Sequence, residues 1–213
     1  MEDRFIRSVS IDWSDIAENS YLREIPALKF EGALAFEKNV TFFVGENGSG
    51  KSTLLEAIAV ACGFNPEGGT KNYSFSTYDS HSELHRAIRM SRGVRKPRGG
   101  YFLRAESFYN VASKAEEYRD GDSMETYYAR YGGKSLHQRS HGESFLALIQ
   151  GNFTDRGVYI LDEPEAALSP QRQLTLLIEM DRLAREGAQL LIASHSPFFW
   201  GCRMRRFCPL TME

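Results

Sequence analysis

A glycine-rich stretch at residues 45–52 has the residue types and spacing that bind phosphate. Its sequence is Gly45-Glu46-Asn47-Gly48-Ser49-Gly50-Lys51-Ser52, which fits the pattern G-x-x-x-x-G-K-[ST] at every position. Glycines allow backbone N–H groups to gather around phosphate oxygens, and the N-terminus of a following helix adds partial positive charge. We expect Lys51 to neutralise the outer phosphates of a nucleotide, the Ser52 hydroxyl to hold Mg2+, and Thr53 to complete this nucleotide-binding segment. This loop alone is also compatible with kinases and GTPases.

A second group of reactive side chains follows an apolar segment in the second half of the sequence. Residues 158–161 predict a buried strand, and Asp162 and Glu163 come directly after it. Parallel strands carry their carboxyl ends to one crevice, so both carboxylates are expected beside the phosphate-binding stretch. Asp162 would support Mg2+, and Glu163 would accept a proton from an attacking water or hold that water in line with the γ-phosphate. Asp-Glu-Pro also opens ordinary turns, but its combination with the phosphate-binding stretch favours a catalytic site.

The elements that must position these residues follow from periodicity and turn residues. Strands are predicted over residues 5–11, 40–44, 101–105, 158–161 and 189–193, with one or two more within 30–36. Helices are predicted over 51–62, 82–90, 108–118, 124–131, 143–152 and 170–186, with loops over 64–78 and 91–100. Strands alternating with helices indicate an α/β fold with a mostly parallel, covered sheet. We expect one domain over residues 1–213, with a nucleotide-binding core (1–78 and 158–213) and a helical lobe (79–157).

Composition excludes some classes of function. The 213 residues are 42% hydrophobic and 25% charged with a formal net charge of −2, so the whole chain has no attraction for nucleic acids or acidic membranes. No apolar run approaches the length of a membrane span, and the first residues lack the apolar stretch of a signal peptide. Cys62, Cys202 and Cys208 lack metal-binding spacing, which favours a reduced, cytoplasmic protein.

Two further patterns could indicate binding sites but are interpreted otherwise. Residues 86–98 are rich in arginine, yet no nucleic-acid-binding motif accompanies them, so a solvated loop is favoured and no strong nucleic-acid signal remains. The pairs His81 with His85 and His137 with His141 each lack a third ligand, so no zinc site is predicted.

Four motifs in a fixed order make the chain resemble the ABC-type ATPases over nearly its full length. After the phosphate-binding stretch, Ser140-His141-Gly142-Glu143 stands where that family carries its Ser-Gly-Gly-Gln signature, and Asp162 follows Ser140 by 162 − 140 = 22 residues, about the family's spacing. Residues 166–169, after Glu163, are similar to the family's dimer-contact loop, and His195 is similar to its switch histidine. Among subfamilies, the resemblance is to small stand-alone bacterial predicted ATPases.

The resemblance implies that two chains sandwich two ATP molecules. In the family the signature contacts the γ-phosphate bound by the opposite subunit, so Ser140, Gly142 and Glu143 would serve the partner's nucleotide. Ser140 and Gly142 precede a predicted helix, where a hydroxyl and backbone N–H groups can bind an anion. His195 would donate a hydrogen bond to the γ-phosphate and report its presence.

Some positions depart from the family pattern. His141 and Glu143 replace a glycine and a glutamine of the signature, which alters its charge. Where transporters carry a magnesium-sensing glutamine, Glu106 is the nearest candidate. The aromatic residue that stacks on adenine is not assigned, and the two candidates are Trp13 and Tyr21.

We therefore expect a P-loop NTPase core of the ABC-ATPase type, with antiparallel N-terminal strands and an inserted helical lobe. The expected function is Mg2+-dependent hydrolysis of ATP to ADP and phosphate by an ATP-induced homodimer, driving or gating a cytosolic process. Two alternatives stay open: the ATP-binding subunit of an ABC transporter, and a slow ATP-gated binding switch in nucleic-acid metabolism. Each allows an unidentified protein partner, because the motifs encode ATP chemistry and not the process it drives.

Overall fold

The chain folds around two β-sheets in a computed structural model that describes residues 4–71, 82–117, 123–200 and 206–209. Its strands are β1 Ile6–Ile11, β2 Ala33–Ala35, β3 Val40–Val44, β4 Ile88–Arg92, β5 Gly99–Arg104, β6 Gly157–Asp162, β7 Gln189–Ala193 and β8 Arg206–Pro209. Its α-helices are α1 Lys51–Ala61, α2 Leu84–Ala87, α3 Phe108–Glu117, α4 Met124–Ala129, α5 His141–Asn152, α6 Pro170–Arg185 and α7 Pro197–Trp200. Over this described part of the chain, no helix has both the length and the apolarity needed to cross a membrane.

The larger sheet is entirely parallel and brings the carboxyl ends of its strands to one edge. Its order is β5-β6-β7-β3-β8, and the smaller antiparallel sheet has the order β2-β1-β4. The register places Asp162, the last residue of β6, beside Arg104 of β5 on one side and Ala193 of β7 on the other. The predicted α/β fold, with a mostly parallel sheet and antiparallel N-terminal strands, is confirmed.

Alternation along the central strands builds two separate hydrophobic cores. On β6, Tyr159 and Leu161 lie in the core that also holds residues of α3, α5 and α6, whereas Ile160 lies in the core with α1 and the small sheet. On β3, Phe42 and Phe43 divide in the same way. Side chains of a strand point alternately to its two faces, so both faces of the sheet are covered. Fully burying a side chain of this size is worth about 1.5–3 kcal/mol, so the sheet is a firm support for the loops at its edge.

The helix predicted over residues 82–90 is wrong. Only Leu84–Ala87 is helical, and Ile88–Arg92 is strand β4, paired antiparallel with β1. The apolar spacing within 84–90 suits a helix, but pairing with a distant strand overrides local preference. Strand β4 belongs to the small sheet and β5 to the parallel sheet, so residues 79–157 contribute strands as well as the helices α2, α3, α4 and α5. The division into a core and a helical lobe stays a prediction. The predicted loop over 64–78 lies partly outside the described residues.

Candidate functional site

Polar side chains from neighbouring strands meet at the carboxyl edge of the parallel sheet. The glycine-rich loop follows β3, Arg104 and Asp162 end β5 and β6, and Ser194 and His195 follow β7. A cavity of about 500 Å³ opens at this edge, lined by Ser52, Arg104, Ala105, Glu106, His141, Asp162, Glu163 and Ala166. Three residues predicted from separate parts of the sequence, Ser52, Asp162 and Glu163, are therefore brought together.

Two glycines of the glycine-rich loop have backbone conformations that favour glycine. Gly48 and Gly50 have φ values of +80° and +94°, which L side chains rarely adopt. Lys51 begins α1 and is only 3% exposed. Its ammonium donates hydrogen bonds to the carbonyl oxygens of Gly45 (2.9 Å) and Glu46 (2.7 Å). The lysine charge is thus held against the loop itself, where phosphate oxygens would compete with these two carbonyls.

Gly50 also permits a close approach from the segment before β2. A β-carbon on Gly50 would lie 2.1 Å from Cγ2 of Ile25, far inside van der Waals contact. The approach is fixed by a 2.9 Å hydrogen bond from the Ala27 N–H to the carbonyl oxygen of Ser49. The segment around Ile25 and Ala27 therefore holds the loop in place, and glycine at position 50 is required for this contact.

We expect Gly50→Ala to destabilise the fold. A non-glycine residue in the left-handed region costs about 1–2 kcal/mol, and overpacking adds about 1–3 kcal/mol. Urea unfolding should therefore show a free energy of unfolding lowered by about 2–5 kcal/mol. Gly32→Ala is the matched control, because Gly32 has φ +69° but nothing within 4 Å of the added β-carbon. Equal losses in both variants would contradict a role for the Ile25 contact.

A hydrogen bond joins the glycine-rich loop to the carboxylate at the end of β6. The Ser52 hydroxyl donates to Oδ1 of Asp162 at 2.9 Å. Asp162 is 5% exposed, and its burial raises the pKa of the carboxyl to about 6, against the opposing effects of Arg104 and the Ser52 hydroxyl. A buried carboxylate beside a hydroxyl gains from a nearby cation, and these are oxygen ligands that suit Mg2+.

Arg104 is a residue at this edge that the sequence analysis missed. Its guanidinium contacts Oε2 of Glu56 at 2.8 Å and Oε1 of Glu106 at 2.6 Å, and its Nε lies 3.5 Å from Oδ2 of Asp162. The side chain is 19% exposed and lines the cavity. Glu106, the nearest candidate for the magnesium-sensing position, is therefore held by Arg104. The sequence feature that could have identified Arg104 as a site residue is its position at the end of a predicted strand.

Glu163 has an uncommon backbone conformation. Among the described residues it is the one non-glycine residue with positive φ, at φ 48° and ψ 50°. Such a conformation costs about 1–2 kcal/mol, and residues strained in this way cluster at active sites and ligand-binding sites. Its N–H donates to the carbonyl oxygen of Ala193 at 3.0 Å, and its Oε1 lies 3.7 Å from Nδ1 of His195. The two residues predicted to act on the γ-phosphate are thus neighbours.

The signature stretch caps the N-terminus of α5. The carboxylate of Glu143 accepts hydrogen bonds from the Ser140 N–H (3.0 Å) and hydroxyl (2.7 Å), and from Arg172 (2.9 Å). The hydrogen bonds from Ser140, aided by the charge of Arg172, hold the pKa of Glu143 below its usual range. A β-carbon on Gly142 would lie 2.9 Å from the carbonyl oxygen of Ala167, so glycine allows α5 to approach the loop after Glu163. The negative charge favoured at this helix N-terminus is supplied by Glu143 itself.

The residues at this edge fit a nucleotide with Mg2+. The Ser49 hydroxyl is buried in the glycine-rich loop and has no hydrogen-bond partner among the described residues, as expected for a donor that awaits a ligand. Ser52 and Asp162 supply two oxygen ligands. In the described ranges, this edge included, no group of three or more His, Cys, Asp or Glu side chains could hold a metal ion. Magnesium suits this arrangement because it usually takes one or two protein ligands and completes its shell with phosphates and water.

The two candidates for stacking on the base have different surroundings. Trp13 lines a cavity of about 390 Å³ with Arg23, Leu28, Lys29 and Phe30, and the Arg23 guanidinium lies 5.2 Å from its ring centre. Tyr21 is 66% exposed. Leu28 ends the 3₁₀ turn Pro26–Leu28, whose Ala27 bonds to the glycine-rich loop, so the cavity beside Trp13 adjoins the segment that packs on that loop.

One solved structure supports the fold, and two others show weaker similarity. The protein described as "a putative metal-chelate type ABC transporter", in an inward-facing conformation, matches with a TM-score of 0.50 and 14% identity over 92% of this chain and 75% of its own. A bacterial ABC transporter cassette, described as dimeric, matches with a TM-score of 0.48 and 17% identity over 97% of this chain and 94% of its own. An ATP-binding subunit of an ABC transporter matches with a TM-score of 0.47 and 16% identity over 96% of this chain and 86% of its own. No curated protein matches the chain.

Family models match the segments that carry the site. Residues 27–143, more than half of the chain, match the family described as "AAA domain". Residues 135–199 match a second one, described as "AAA domain, putative AbiEii toxin, Type IV TA system". The first match spans the glycine-rich loop and the signature stretch, and the second spans Asp162, Glu163 and His195. The chain therefore belongs to the AAA-domain family, within the ABC/AAA group of P-loop ATPases.

Proposed function

We propose that the chain binds ATP with Mg2+ and hydrolyses it to ADP and phosphate. The observation that carries this proposal is the 2.9 Å hydrogen bond between Ser52 and Asp162, because it joins the glycine-rich loop to the carboxylate at the end of β6. Glu163 follows directly and lines the same cavity. A loop that only held phosphate would not need a second carboxylate in a strained backbone conformation at this position.

The phosphates would be bound by the N-terminal end of α1 and the loop before it. The residues of this segment are Gly45, Glu46, Asn47, Gly48, Ser49, Gly50, Lys51, Ser52 and Thr53. Lys51 would exchange its carbonyl partners for phosphate oxygens, and the backbone N–H groups would surround the remaining oxygens. Ser52 and Asp162 would hold Mg2+, which when bound neutralises phosphate oxygens and makes the γ-phosphorus a better electrophile.

Hydrolysis would use Glu163 as the general base. The oxygen of a water attacks the γ-phosphorus, the bond to the β–γ bridging oxygen breaks, and ADP leaves with that electron pair. Glu163 takes the proton of the attacking water. The His195 side chain is 46% exposed, and it would donate a hydrogen bond to the γ-phosphate.

A second chain would complete the site. Ser140 and Gly142 would meet the γ-phosphate bound by the partner, as the resemblance to ABC-type ATPases implies. For this to happen, Glu143 must release the hydroxyl and N–H of Ser140, to which it is bonded at 2.7 and 3.0 Å. The partner's phosphate would then take the place of the Glu143 carboxylate as the anion bound at the N-terminus of α5.

The contact between Glu143 and Ser140 also favours a second candidate function, a slow ATP-gated binding switch. If this contact must open before two chains associate, association rather than chemistry limits turnover. Turnover per chain would then rise with protein concentration. If turnover per chain is the same at all protein concentrations, association does not limit it. The transporter-subunit alternative stays a prediction.

Lys51→Ala tests the nucleotide site. Charge-assisted hydrogen bonds are worth about 1.5–3 kcal/mol each, so we expect the Kd for ATP to rise by about tenfold to more than a hundredfold. Isothermal titration with ATP and Mg2+ measures this directly. Lys38→Ala is the control, because Lys38 is exposed and precedes the opposite end of β3. Unchanged ATP affinity in a folded Lys51→Ala protein would refute the proposed site.

A further inference from the structure

Glu165 is a buried carboxylate to which the sequence analysis assigned no role. It lies two residues after Glu163 and is 7% exposed. One of its oxygens, Oε1, accepts three hydrogen bonds from the loop after β7. The donors are the Ser194 hydroxyl at 2.7 Å, the His195 N–H at 2.7 Å and the Ser196 N–H at 3.1 Å. A single carboxylate oxygen therefore fixes the backbone on both sides of His195.

The same oxygen also lies close to the imidazole. Nδ1 of His195 is 3.4 Å from Oε1 of Glu165 and 3.7 Å from Oε1 of Glu163. The imidazole itself is 46% exposed, so its place depends chiefly on the backbone that carries it. Since that backbone is bonded to Glu165, the position of His195 depends on Glu165.

A second anchor holds the far side of this loop. The Ser196 hydroxyl donates to Oε1 of Gln173 at 2.7 Å, and Nε2 of Gln173 donates to the carbonyl oxygen of Leu168 at 3.2 Å. Ser196 and Gln173 are both buried. The loop carrying His195 is thus bonded to the loop after β6 and to the start of α6. Glu165 is the member of this network that lies nearest to the catalytic carboxylate in sequence.

The cost of burying Glu165 indicates that it is retained for more than stability. A buried charge is unfavourable unless it is well hydrogen-bonded. Oε1 is satisfied, but Oε2 is buried without a hydrogen-bond partner among the described residues. An acceptor with three convergent donors gives a defined loop geometry, and charge on the acceptor strengthens each of these bonds.

We propose that Glu165 is a positioning residue that sets the His195 loop for contact with the γ-phosphate. Glu165 does not touch the nucleotide, and it acts through the backbone of residues 194–196. This inference rests on the proposed ATPase function, in which His195 contacts the γ-phosphate. It predicts that loss of Glu165 slows the chemical step through His195 and leaves ATP binding at the phosphate loop intact.

A double-mutant cycle on the full chain tests this role. Glu165→Ala should lower kcat by about tenfold or more while KM for ATP stays within about threefold. Glu165→Gln should restore kcat to within about threefold of the parent, because its amide oxygen can accept the same three hydrogen bonds. In a His195→Ala background, Glu165→Ala should cause no further loss, because the two residues act as one unit.

The outcomes separate this inference from the proposed function. If the parent chain does not hydrolyse ATP, or His195→Ala is as active as the parent, the proposed function fails. If His195→Ala is slow but Glu165→Ala matches the parent, or if their losses multiply, the role of Glu165 is refuted. If Glu165→Ala does not fold, Ser194→Ala takes its place in the cycle, since it removes one donor and keeps the carboxylate. Its loss of kcat should likewise vanish in the His195→Ala background, and a loss that persists there would refute the proposal.

Discussion

Glu163→Gln should reduce ATP turnover by about a hundredfold or more while the fold and the affinity for ATP are retained. The amide cannot take the proton of the attacking water, but it has nearly the size of the carboxylate. The backbone strain at φ 48° is the same in both proteins, so stability should change little. Phosphate release gives the turnover, and isothermal titration on the same preparation gives the Kd, so chemistry is separated from binding.

Glu186→Gln is the matched control for this substitution. Glu186 follows α6 and bonds to Arg182 at 2.7 Å, with its side chain 44% exposed. The Glu186→Gln protein should hydrolyse ATP at the parent rate. Parent turnover in Glu163→Gln would contradict the general-base role, and an equal loss in Glu186→Gln would show that the effect does not belong to the site.

The parts of the site that follow from short stretches of sequence could be predicted. The glycine-rich loop lies between β3 and α1 because an apolar run, glycines and helical spacing follow one another within about 20 residues. Asp162 and Glu163 reach the same edge because parallel strands align their carboxyl ends. Local pattern and a general rule of topology were sufficient for both.

The parts that depend on contacts between distant residues could not be predicted. Arg104 meets Glu56 and Asp162 only because β5 pairs with β6 and α1 packs beside them. In the sequence, nothing distinguishes Glu165 from any other acidic residue in a turn, because its bonds to the loop after β7 are visible only in the structure. The same reason explains the wrong helix at 82–90, where pairing of β4 with β1 overrides the local pattern.

Ser140→Arg should leave one ATP bound per chain and prevent association of two chains. Ser140 is exposed at the N-terminus of α5, so a larger side chain can be accommodated without disturbing the core. The arginine would occupy the position proposed for the partner's γ-phosphate and remove the hydroxyl proposed to bind it. Ser123→Arg is the matched control, because Ser123 is an exposed cap of another helix, α4. Association should persist in that control, and its loss in both variants would contradict a specific role for Ser140.

Light scattering of Glu163→Gln tests the central claim most directly, since slow hydrolysis should preserve the γ-phosphate on which the proposed association of two chains depends. With ATP and Mg2+ the measured mass should rise from that of one chain to twice that value. With ADP and Mg2+ it should remain that of one chain, and Ser140→Arg combined with Glu163→Gln should remain so with either nucleotide. A Glu163→Gln protein that keeps the mass of one chain at saturating ATP, or doubles its mass equally with ADP, would contradict a γ-phosphate-dependent sandwich.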